Sequence, residues 1–387
     1  MRSRARTSVE NPEVKMDNAI ETKYMMLMTG INTREQQKAA LALANTLRLR
    51  GIMSVFALMQ GSIFAKIFSE KGYEVVFTSN FPQSRGLLSR IGRMLKMQSC
   101  VQEATRILKV KGINAVLSFG GFSAYPLLEA ASKKNGVKIL LFEENFAVSR
   151  CGEDFMKKAD RIYLPFEAMQ EGIEYEFYKK SFVGGIPVER DVLRAEPAEI
   201  LTKKRKLLIL TCKKETKEMN TMIRELIVKY PEITRDFHII HETGDREIAA
   251  IQRYYETNKI ESTCEMFFDN RGSYCKIADI IIARPNSDII SELIALKKPA
   301  IYLPLPKNKD YFQKQNAVFM AKKSMGFIVE DAKSVNAGVR VRKLYSFLNT
   351  YLKNEDNMKR NMAELDFENS SARIADDIEK TLKSGKK

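Results

Sequence analysis

The chain has 387 residues, more than a single hydrophobic core usually holds, so two domains are predicted. Its hydrophobic fraction of 44% and charged fraction of 29% are typical of globular proteins, and no apolar run approaches the roughly 20 residues that cross a bilayer. The net charge of +16 favours a polyanionic partner, which could be nucleic acid, an anionic membrane or a phosphorylated substrate. Compositional drift in a lysine-rich chain is the alternative.

Residues 1–22 are basic, then acidic and polar, and no apolar stretch follows them, so we expect a disordered leader and no secretory signal. Five cysteines lie without metal-ligand spacing, and their odd number argues against a disulfide framework, so a reducing cytoplasm is predicted. The only two histidines, His238 and His241, fall on one predicted strand. A histidine-based catalytic pair, a metal site and a cofactor are therefore not expected.

Short apolar runs alternate with amphipathic segments through the first half of the chain. The predicted strands are KYMMLMTG, IMSVFALM, YEVVFTS, INAVLSFGG, VKILLFEEN and ADRIYLPF, and the helices between them end at glycine. This alternation predicts an α/β domain over residues 23–183, with a parallel sheet covered by helices on both faces. Gly184, Gly185 and Pro187 follow in a predicted hinge, residues 184–190.

A second series of the same kind follows the hinge. Its predicted strands are KLLILTC, DFHIIHETG, CEMFFDN, ADIIIAR, PAIYLPL and MGFIVED, in a domain of residues 191–365, and residues 366–387 read as a terminal helix with a basic tail. Two doubly wound, Rossmann-like domains place a ligand in the cleft between them, beyond the carboxyl ends of the strands. Nucleotide-sugar transferases of the GT-B type match this length and rhythm, but alternation alone fits a periplasmic-type binding protein equally well.

One turn after a predicted strand carries several polar side chains. In ADIIIARPNSDIISE, Arg284, Asn286 and Ser287 follow the strand, and Glu292 lies further along the next helix. Asparagine and serine are ordinary helix caps. The N-terminus of a helix that leaves a parallel sheet is also an anion site, often for phosphate. Both interpretations are open from this fragment alone.

These motifs resemble those of the MurG family, the peripheral membrane N-acetylglucosaminyltransferases that convert lipid I to lipid II in peptidoglycan synthesis. The similarity runs from about residue 23 to residue 380 and is strongest in FFDNRGSYCKIADIIIARPNSDIISE and KDYFQKQNA. It implies the GT-B fold, UDP-N-acetylglucosamine as the donor and an undecaprenyl-linked lipid as the acceptor. It also implies a peripheral location on the cytoplasmic face of the cell membrane.

The resemblance implies a donor site in the second domain. The backbone around Phe268 would hold the uracil ring, Glu292 would accept the ribose hydroxyls, and a helix start would face the diphosphate. Lys213 and Lys214 stand where the family has a glycine-rich loop, so their charged side chains would bind the phosphate that backbone N–H groups bind in the family. The alternative is a solvated lysine pair at the start of a helix. The implied donor residues are Lys213, Phe268, Arg284, Asn286, Ser287, Glu292, Asp310, Gln313 and Asn316.

Two loops of the first domain, LSFGGFSAYP and FEENFAVS, resemble the acceptor loops of the family. A glycine pair lets backbone N–H groups approach an anion closely. Where the family has histidines this chain has Gln36 and Phe142, and Glu189 replaces an arginine after the hinge proline. The implied acceptor residues are Gln36, Gly120, Gly121, Ser123 and Asn145.

An inverting transfer needs a base for the acceptor hydroxyl. With the family's histidine absent, Glu143 and Glu144 are favoured over Glu35, because they follow the apolar strand KILLF and burial raises a carboxyl pKa. The alternative is that both carboxylates only cap a helix or pair with arginines. The predicted catalytic residues are thus Glu143 and Glu144.

The segment FPQSRGLLSRIGRMLKMQS has several cations and no acid, with apolar residues at helical spacing between them. A basic amphipathic helix is typical of binding in the plane of an anionic bilayer. An ordinary surface helix is the alternative, and no zinc finger, RNP-type strand or arginine–glycine tract favours nucleic acid. The predicted membrane residues are Arg85, Leu88, Arg90, Ile91, Arg93, Leu95 and Lys96.

The leading functional hypothesis is therefore a transferase that converts lipid I to lipid II. A transferase with another lipid or glycan acceptor is the first alternative, because the first-domain loops depart from the family pattern. A non-catalytic relative that binds a nucleotide sugar at the membrane is the second. An epimerase of the same two-domain type would need glycine-rich, histidine-bearing loops, which this sequence lacks.

Overall fold

The computed structural model describes residues 21–79, 87–212, 216–306, 310–330 and 337–384. Within these ranges the chain forms two fully parallel sheets. The first has seven strands: β1 (Tyr24–Thr29), β2 (Ile52–Met59), β3 (Glu74–Thr78), β4 (Ala115–Ser118), β5 (Lys138–Phe142), β6 (Arg161–Leu164) and β7 (Ser181–Val183). The second has six: β8 (Arg205–Leu210), β9 (Phe237–Glu242), β10 (Ser262–Glu265), β11 (Ile280–Ala283), β12 (Ala300–Tyr302) and β13 (Gly326–Ile328).

Helices connect consecutive strands, as parallel pairing requires. In the first half they are α1 (Arg34–Arg48), α2 (Ala65–Glu70), α3 (Leu87–Val110), α4 (Tyr125–Ser132), α5 (Arg150–Phe155), α6 (Tyr175–Tyr178) and α7 (Arg190–Leu193). In the second half they are α8 (Thr216–Lys229), α9 (Glu232–Asp236), α10 (Ile248–Thr257), α11 (Arg271–Ile277), α12 (Ser287–Ala295), α13 (Tyr311–Lys322), α14 (Ala337–Ala363) and α15 (Ser370–Lys383). None of the described helices is both long and apolar enough to cross a membrane.

The central strands are buried on both faces, which explains why their sequences are continuous apolar runs and do not alternate with polar residues. The strand order is β3-β2-β1-β4-β5-β6-β7 in the first sheet and β10-β9-β8-β11-β12-β13 in the second. In each sheet the winding reverses direction once, between β1 and β4 and between β8 and β11. A crevice opens outside the carboxyl ends of the strands at such a reversal, and ligands bind there in open parallel sheets.

The elements differ from the sequence predictions in three places. Helix α3 is one continuous helix of 24 residues, which extends the predicted basic amphipathic helix as far as Val110. Strand β7 ends at Val183, directly before the predicted hinge, and was not among the predicted strands. Strand β10 ends at Glu265, so the following Phe267 and Phe268 lie in the turn before α11 instead of extending the sheet. Phe267 lines the cleft there, and Phe268 is buried.

The last helix returns to the first domain. The guanidinium of Arg161 donates two hydrogen bonds, of 2.7 and 2.6 Å, to the carboxylate of Asp377 on α15. The hydroxyl of Tyr163 donates to the same carboxylate at 3.1 Å. Helix α15 also packs against α1. The chain therefore crosses between the two sheets a second time, and the two domains are linked at both the hinge and the C-terminal helix.

Candidate active site

A cleft of about 800 Å³ lies between the two sheets, at the carboxyl ends of their strands. Loops that follow β1, β4 and β5 form one wall, and loops that follow β8 and β11 form the other, together with the start of α13. Both winding reversals therefore face the same space. Eight of the predicted donor and acceptor residues line this cleft: Gln36, Gly120, Gly121, Asn145, Asn286, Ser287, Asp310 and Gln313. Five other predicted residues do not line it: Ser123, Phe268, Arg284, Glu292 and Asn316.

Two glycine loops form the floor on the first-domain side. Gly30 and Gly120 have φ angles of +79° and +94°, and a Cβ on Gly30 would collide with the backbone of Gly120. Gly121, at φ +73°, leaves no room for a Cβ beside the amide of Asn32. At Gly30 the backbones after β1 and β4 approach too closely for a side chain, and at Gly120 and Gly121 the positive φ angles favour glycine. Asn32 also accepts a hydrogen bond of 3.0 Å from Ser123.

Gln36 ties these loops together. Its side-chain oxygen accepts from the backbone N–H groups of Asn32 and Thr33, and its amide nitrogen donates 2.8 Å to the carbonyl of Phe119. With the Thr33 hydroxyl it forms a capping box at the start of α1. Gln36 lines the cleft, but its side chain is buried and already serves as a structural link between the loops after β1 and β4.

Glu143 is held by the start of α5. Its two carboxylate oxygens accept hydrogen bonds of 2.9 Å from the backbone N–H and the hydroxyl of Ser149, the N-cap of that helix. Burial raises the pKa of Glu143 to about 7, against the lowering effect of the two bonds from Ser149. Glu143 therefore supports a helix cap, which was one of the two interpretations left open by the sequence. It also lines the cleft.

Glu144 faces the second domain. Burial raises the pKa of Glu144 well above its ordinary value, and the negative charges of Glu35, Asp288 and Glu143 raise it further, while a hydrogen bond from Ser287 lowers it. Its Oε2 atom is buried and has no hydrogen-bond partner among the described residues. An unpartnered carboxylate oxygen in a cleft is available to accept a proton from a ligand hydroxyl.

The start of α12 is contacted from the other domain. Asn286 is the N-cap residue by position, but its side chain does not cap the helix. Instead its amide nitrogen donates 2.6 Å to Glu35 of α1, and its amide oxygen accepts 2.9 Å from Gln313. The helix start predicted to face a diphosphate thus lies beside the first domain's own carboxylates, Glu35 and Glu144.

Glu292 belongs to a buried cluster of charges. Lys38 of α1 donates 2.7 Å to one carboxylate oxygen of Glu292, and Arg271 lies 3.4 Å from the other. Arg271 also pairs with Asp288, which lies 3.6 Å from Lys38. Burial alone would raise the pKa of Asp288, but the charges of Arg271 and Lys38 hold it below its ordinary value. The cluster is well compensated, as buried charges must be.

Of the remaining implied donor residues, Arg284 is buried away from the cleft, whereas the buried Gln313 and the half-buried Asp310 line it. Arg284 is 1% exposed and donates to the backbone carbonyl of Leu303. Gln313 accepts from the backbone N–H of Leu305, and its N–H groups bind Asn286. Asp310 caps α13. These residues shape the wall of the cleft through the backbone and neighbouring side chains.

Asn316 joins the two walls of the cleft. Its side-chain nitrogen donates 3.0 Å to Asn145 and 3.1 Å to the carbonyl of Pro285, and its oxygen accepts 2.8 Å from the backbone of Phe146. One donor-site residue and one acceptor-site residue from the sequence predictions are therefore bonded to each other directly.

Phe268 lies where the second sheet meets the cleft. Its side chain is buried against the ring of Tyr274, and its backbone N–H points toward Glu242 at a long 3.4 Å. Arg34 stands over the neighbouring ring of Phe267, 5.8 Å from its centroid. A backbone group that is only weakly bonded is a suitable partner for a flat ligand with donors and acceptors at its edge.

Several predicted residues lie outside the described part of the chain. Lys213, Lys214 and Arg85 are among them, as are the side chains of residues 87–94, which include Leu88, Arg90, Ile91 and Arg93. Leu95 and Lys96 follow on α3, and both are exposed, Leu95 to 62% of its surface. Phosphate binding by the two lysines and membrane binding by the basic segment at the start of α3 both remain predictions.

Sequence reasoning missed Lys38, Arg271 and Ser149. Lys38 and Arg271 contact Glu292, and Ser149 contacts Glu143. Nothing in the sequence around these three residues indicates those contacts. Asp288 was overlooked as well, although a carboxylate two residues after the N-cap of a helix that follows a buried strand is a visible signal. No group of histidine, cysteine or carboxylate side chains among the described residues is arranged to hold a metal ion.

Comparison with known proteins links this site to a family. The glycosyltransferase family 28 C-terminal domain matches residues 207–378. The UDP-N-acetylglucosamine–N-acetylmuramyl-(pentapeptide) pyrophosphoryl-undecaprenol N-acetylglucosamine transferase of Francisella philomiragia is 27% identical over 75% of this chain and 80% of its own length. The enzyme of that name from Geobacter sulfurreducens is 26% identical over 69% of this chain and 74% of its own length.

The fold agrees with these relatives. The crystal structure of Acinetobacter baumannii MurG superposes with a TM-score of 0.74, covering 92% of this chain and 99% of that one at 19% identity. The resemblance seen in the motifs and the GT-B architecture are thereby confirmed. The chain thus matches a glycosyltransferase family 28 C-terminal domain over residues 207–378 and is similar over most of its length to MurG transferases.

Proposed function

We propose that this protein transfers N-acetylglucosamine from UDP-N-acetylglucosamine to lipid I, forming lipid II in peptidoglycan synthesis. The observation that carries the proposal is the single cleft into which both the α12 start and the glycine loops after β1 and β4 open. The relatives that match most of the chain are named for this reaction. The departures in the first-domain loops are compatible with it, because Gln36 and the glycines still build a continuous floor.

The donor would lie against the second domain. The N-terminus of α12 carries the positive end of the helix dipole, and Asn286 and Ser287 supply polar groups there for a diphosphate. Glu292 would accept hydrogen bonds from the ribose diol. Arg34, which lines the cleft beside Phe267, is a cation within reach of the leaving group. UDP would then depart as a stabilised anion.

Glu144 would serve as the base. The acceptor hydroxyl oxygen attacks the anomeric carbon, the bond from that carbon to the diphosphate oxygen breaks, and the hydroxyl proton passes to Glu144 Oε2. The unpartnered position of that atom in the cleft supports the role. Glu143 would act as a positioning residue, because its bonds to Ser149 fix the turn that presents Glu144.

The acceptor is lipid-linked, so the enzyme would work at an anionic membrane surface on the cytoplasmic side. Helix α3 leads through a short turn into β4, whose end carries the glycine pair. A basic apolar helix at that place would hold the acceptor loops close to the bilayer. The exposed Leu95 and Lys96 are consistent with such a surface.

A labelled-sugar assay tests this proposal. Purified protein is incubated with UDP-[¹⁴C]-N-acetylglucosamine and a lipid I analogue, and the label extracted with the lipid is counted. We expect label in a product that is heavier than the acceptor by one N-acetylhexosamine. Label that enters a different lipid-linked or glycan acceptor and not lipid I would reject lipid I as the acceptor. Tight UDP binding without transfer to any acceptor would reject catalysis.

A further inference from the structure

The guanidinium of Arg271 is only partly bonded, although it is buried. Arg271 is the first residue of α11, is 6% exposed and lines the cleft. Its Nη2 atom donates a hydrogen bond to Asp288, and its Nε atom lies 3.4 Å from a carboxylate oxygen of Glu292. Its Nη1 atom is buried and has no hydrogen-bond partner among the described residues. A buried N–H donor without a partner is costly, so in a residue that lines a cleft it indicates a ligand oxygen.

The two edges of this guanidinium differ in their surroundings. Arginine presents five N–H donors in a rigid plane, so it can bind oxygen atoms along more than one edge. The edge formed by Nε and Nη2 faces the carboxylates of Glu292 and Asp288. The N–H groups of Nη1 lie outside that edge. Two carboxylates therefore fix the orientation of the guanidinium and leave Nη1 for a third acceptor.

The charge of Arg271 also affects the start of α12. Burial alone would lower the pKa of this guanidinium, but the negative charges of Asp288, Glu292 and Glu242 raise it well above the ordinary value. The side chain therefore stays positively charged. Asp288 lies in the first turn of α12, where a carboxylate repels any further anion. Pairing with Arg271 offsets that repulsion, so the positive end of the helix dipole can attract a phosphate.

Arg271 contacts two positions on α12 that a nucleotide would span. Asp288 and Glu292 are four residues apart and therefore lie on one face of the helix. The Nη2 atom meets Asp288 at the helix start, and the Nε atom faces Glu292 one turn later. A nucleotide with its ribose at Glu292 and its diphosphate at the helix start would place its ribose-linked phosphate closest to the Nη atoms of Arg271.

We propose that Arg271 binds the ribose-linked phosphate of the nucleotide donor through Nη1, while Asp288 and Glu292 hold its guanidinium in position. This inference rests on the proposed function, because it takes a nucleoside diphosphate as the ligand of α12. A charged N–H donor forms a short, strong hydrogen bond with a phosphate oxygen. The buried cluster then has a direct part in donor binding, since it presents a cation that the ligand contacts.

Arg271→Lys provides the test, with uridine, UMP and UDP as the ligands. Lysine keeps a positive charge for Asp288 and Glu292, but its ammonium has no second edge for a phosphate. The dissociation constants of UMP and UDP should both rise about 10- to 100-fold, because a hydrogen bond from a charged donor is lost. Uridine has no phosphate, so its affinity, measured by competition with UDP, should stay the same. A purely structural effect through Glu292 would weaken all three ligands equally, because they share the ribose.

Arg161→Lys is the matched control. It makes the same substitution in another arginine whose guanidinium is held by a carboxylate, that of Asp377, away from the cleft. This variant should be less stable than the wild type but should bind uridine, UMP and UDP with unchanged affinity.

The ligand series separates the outcomes. Unchanged UMP affinity in Arg271→Lys, or a loss for uridine as large as that for UMP, would overturn the phosphate contact and leave the proposed function intact. A measurement on the wild type needs no variant: UMP should bind at least about tenfold more tightly than uridine, and equal affinities would also overturn the contact. No UDP binding to the wild type would overturn the proposed function, and this inference with it.

Discussion

The side-chain nitrogen of Lys38 lies 2.7 Å from a carboxylate oxygen of Glu292, so the first domain supplies a cation to a residue of the predicted donor site. Arg271 and Asp288 complete the cluster from within the second domain. Removing one member of a buried ionic cluster leaves another charge without compensation, which costs several kcal/mol. Tests of this site therefore need substitutions that preserve side-chain shape.

Glu292→Gln should weaken UDP binding about tenfold or more. Glutamine keeps the size of the side chain, but it offers a single acceptor oxygen and no charge to the ribose diol, so a charge-assisted hydrogen bond is lost. Calorimetric titration with UDP measures the change.

Asp377→Asn is the control for that variant. It breaks the partly buried ion pair between Asp377 on α15 and Arg161 on β6, away from the cleft. This variant should therefore be less stable than the wild type but bind UDP with the same affinity. Equal UDP affinity in Glu292→Gln and the wild type would show that Glu292 is a purely structural member of the cluster.

Glu144→Gln should reduce turnover by a factor of roughly 100 to 10,000 while UDP affinity changes little, because a base is lost and the donor lies against the other domain. The raised pKa of Glu144 adds a pH signature. Only the charged carboxylate accepts a proton, so the wild-type rate should climb as pH increases through the raised pKa of Glu144. A flat pH profile, or full activity in Glu144→Gln, would remove Glu144 from the mechanism.

The sequence identified the two sheets because each central strand is a continuous apolar run, and it identified the α12 turn because Asn286 and Ser287 directly follow one. It could not supply the partners of Glu292, since Lys38 is 254 positions away and only the packing of α1 against α12 brings them together. Long-range ionic contacts carry no periodic signal along the chain.

The distinction between Glu143 and Glu144 was also beyond the sequence. The two residues are adjacent and follow the same strand, so composition and burial favour them equally. Backbone geometry after β5 directs Glu143 to Ser149 and Glu144 toward α12. The continuous α3, by contrast, agrees with its sequence, because residues 87–110 contain no proline and a single glycine, Gly92.

Glu143 should make folding stability depend on pH. Its pKa is about 7 in the folded protein against an ordinary 4.5, so between these values the folded state holds a proton that the unfolded chain has lost. This stabilisation is complete at low pH and disappears as pH rises through about 7, with a total near 3 kcal/mol.

Denaturant unfolding at a series of pH values measures that effect. The free energy of unfolding of the wild type, relative to Glu143→Gln, should fall between pH 5 and pH 7.5, roughly in the window set by the two pKa values. Ser149→Ala removes a hydrogen bond that lowers the pKa of Glu143, so its profile should extend to higher pH. Parallel curves for the wild type and Glu143→Gln would contradict the buried, proton-holding carboxyl.

Membrane attachment should depend on the basic segment at the start of α3. Arg90→Glu combined with Arg93→Glu reverses two cations that are worth about 1 kcal/mol each near an anionic bilayer, so the variant should stay in the supernatant when phosphatidylglycerol vesicles are sedimented. Arg342→Glu with Lys353→Glu makes the same charge change on exposed positions of α14 and should still sediment. Equal sedimentation of both variants, insensitive to salt, would contradict the assignment.

The central claim is that one cleft brings a UDP-sugar and a lipid-linked hydroxyl together at Glu144. The most direct measurement is the rate of UDP release from UDP-N-acetylglucosamine by the wild type and by Glu144→Gln, with and without a lipid I analogue. The account predicts rapid release only when the wild type has the acceptor, and at least a 100-fold loss in the variant. Release that ignores the acceptor, or that is equal in the two proteins, would contradict it.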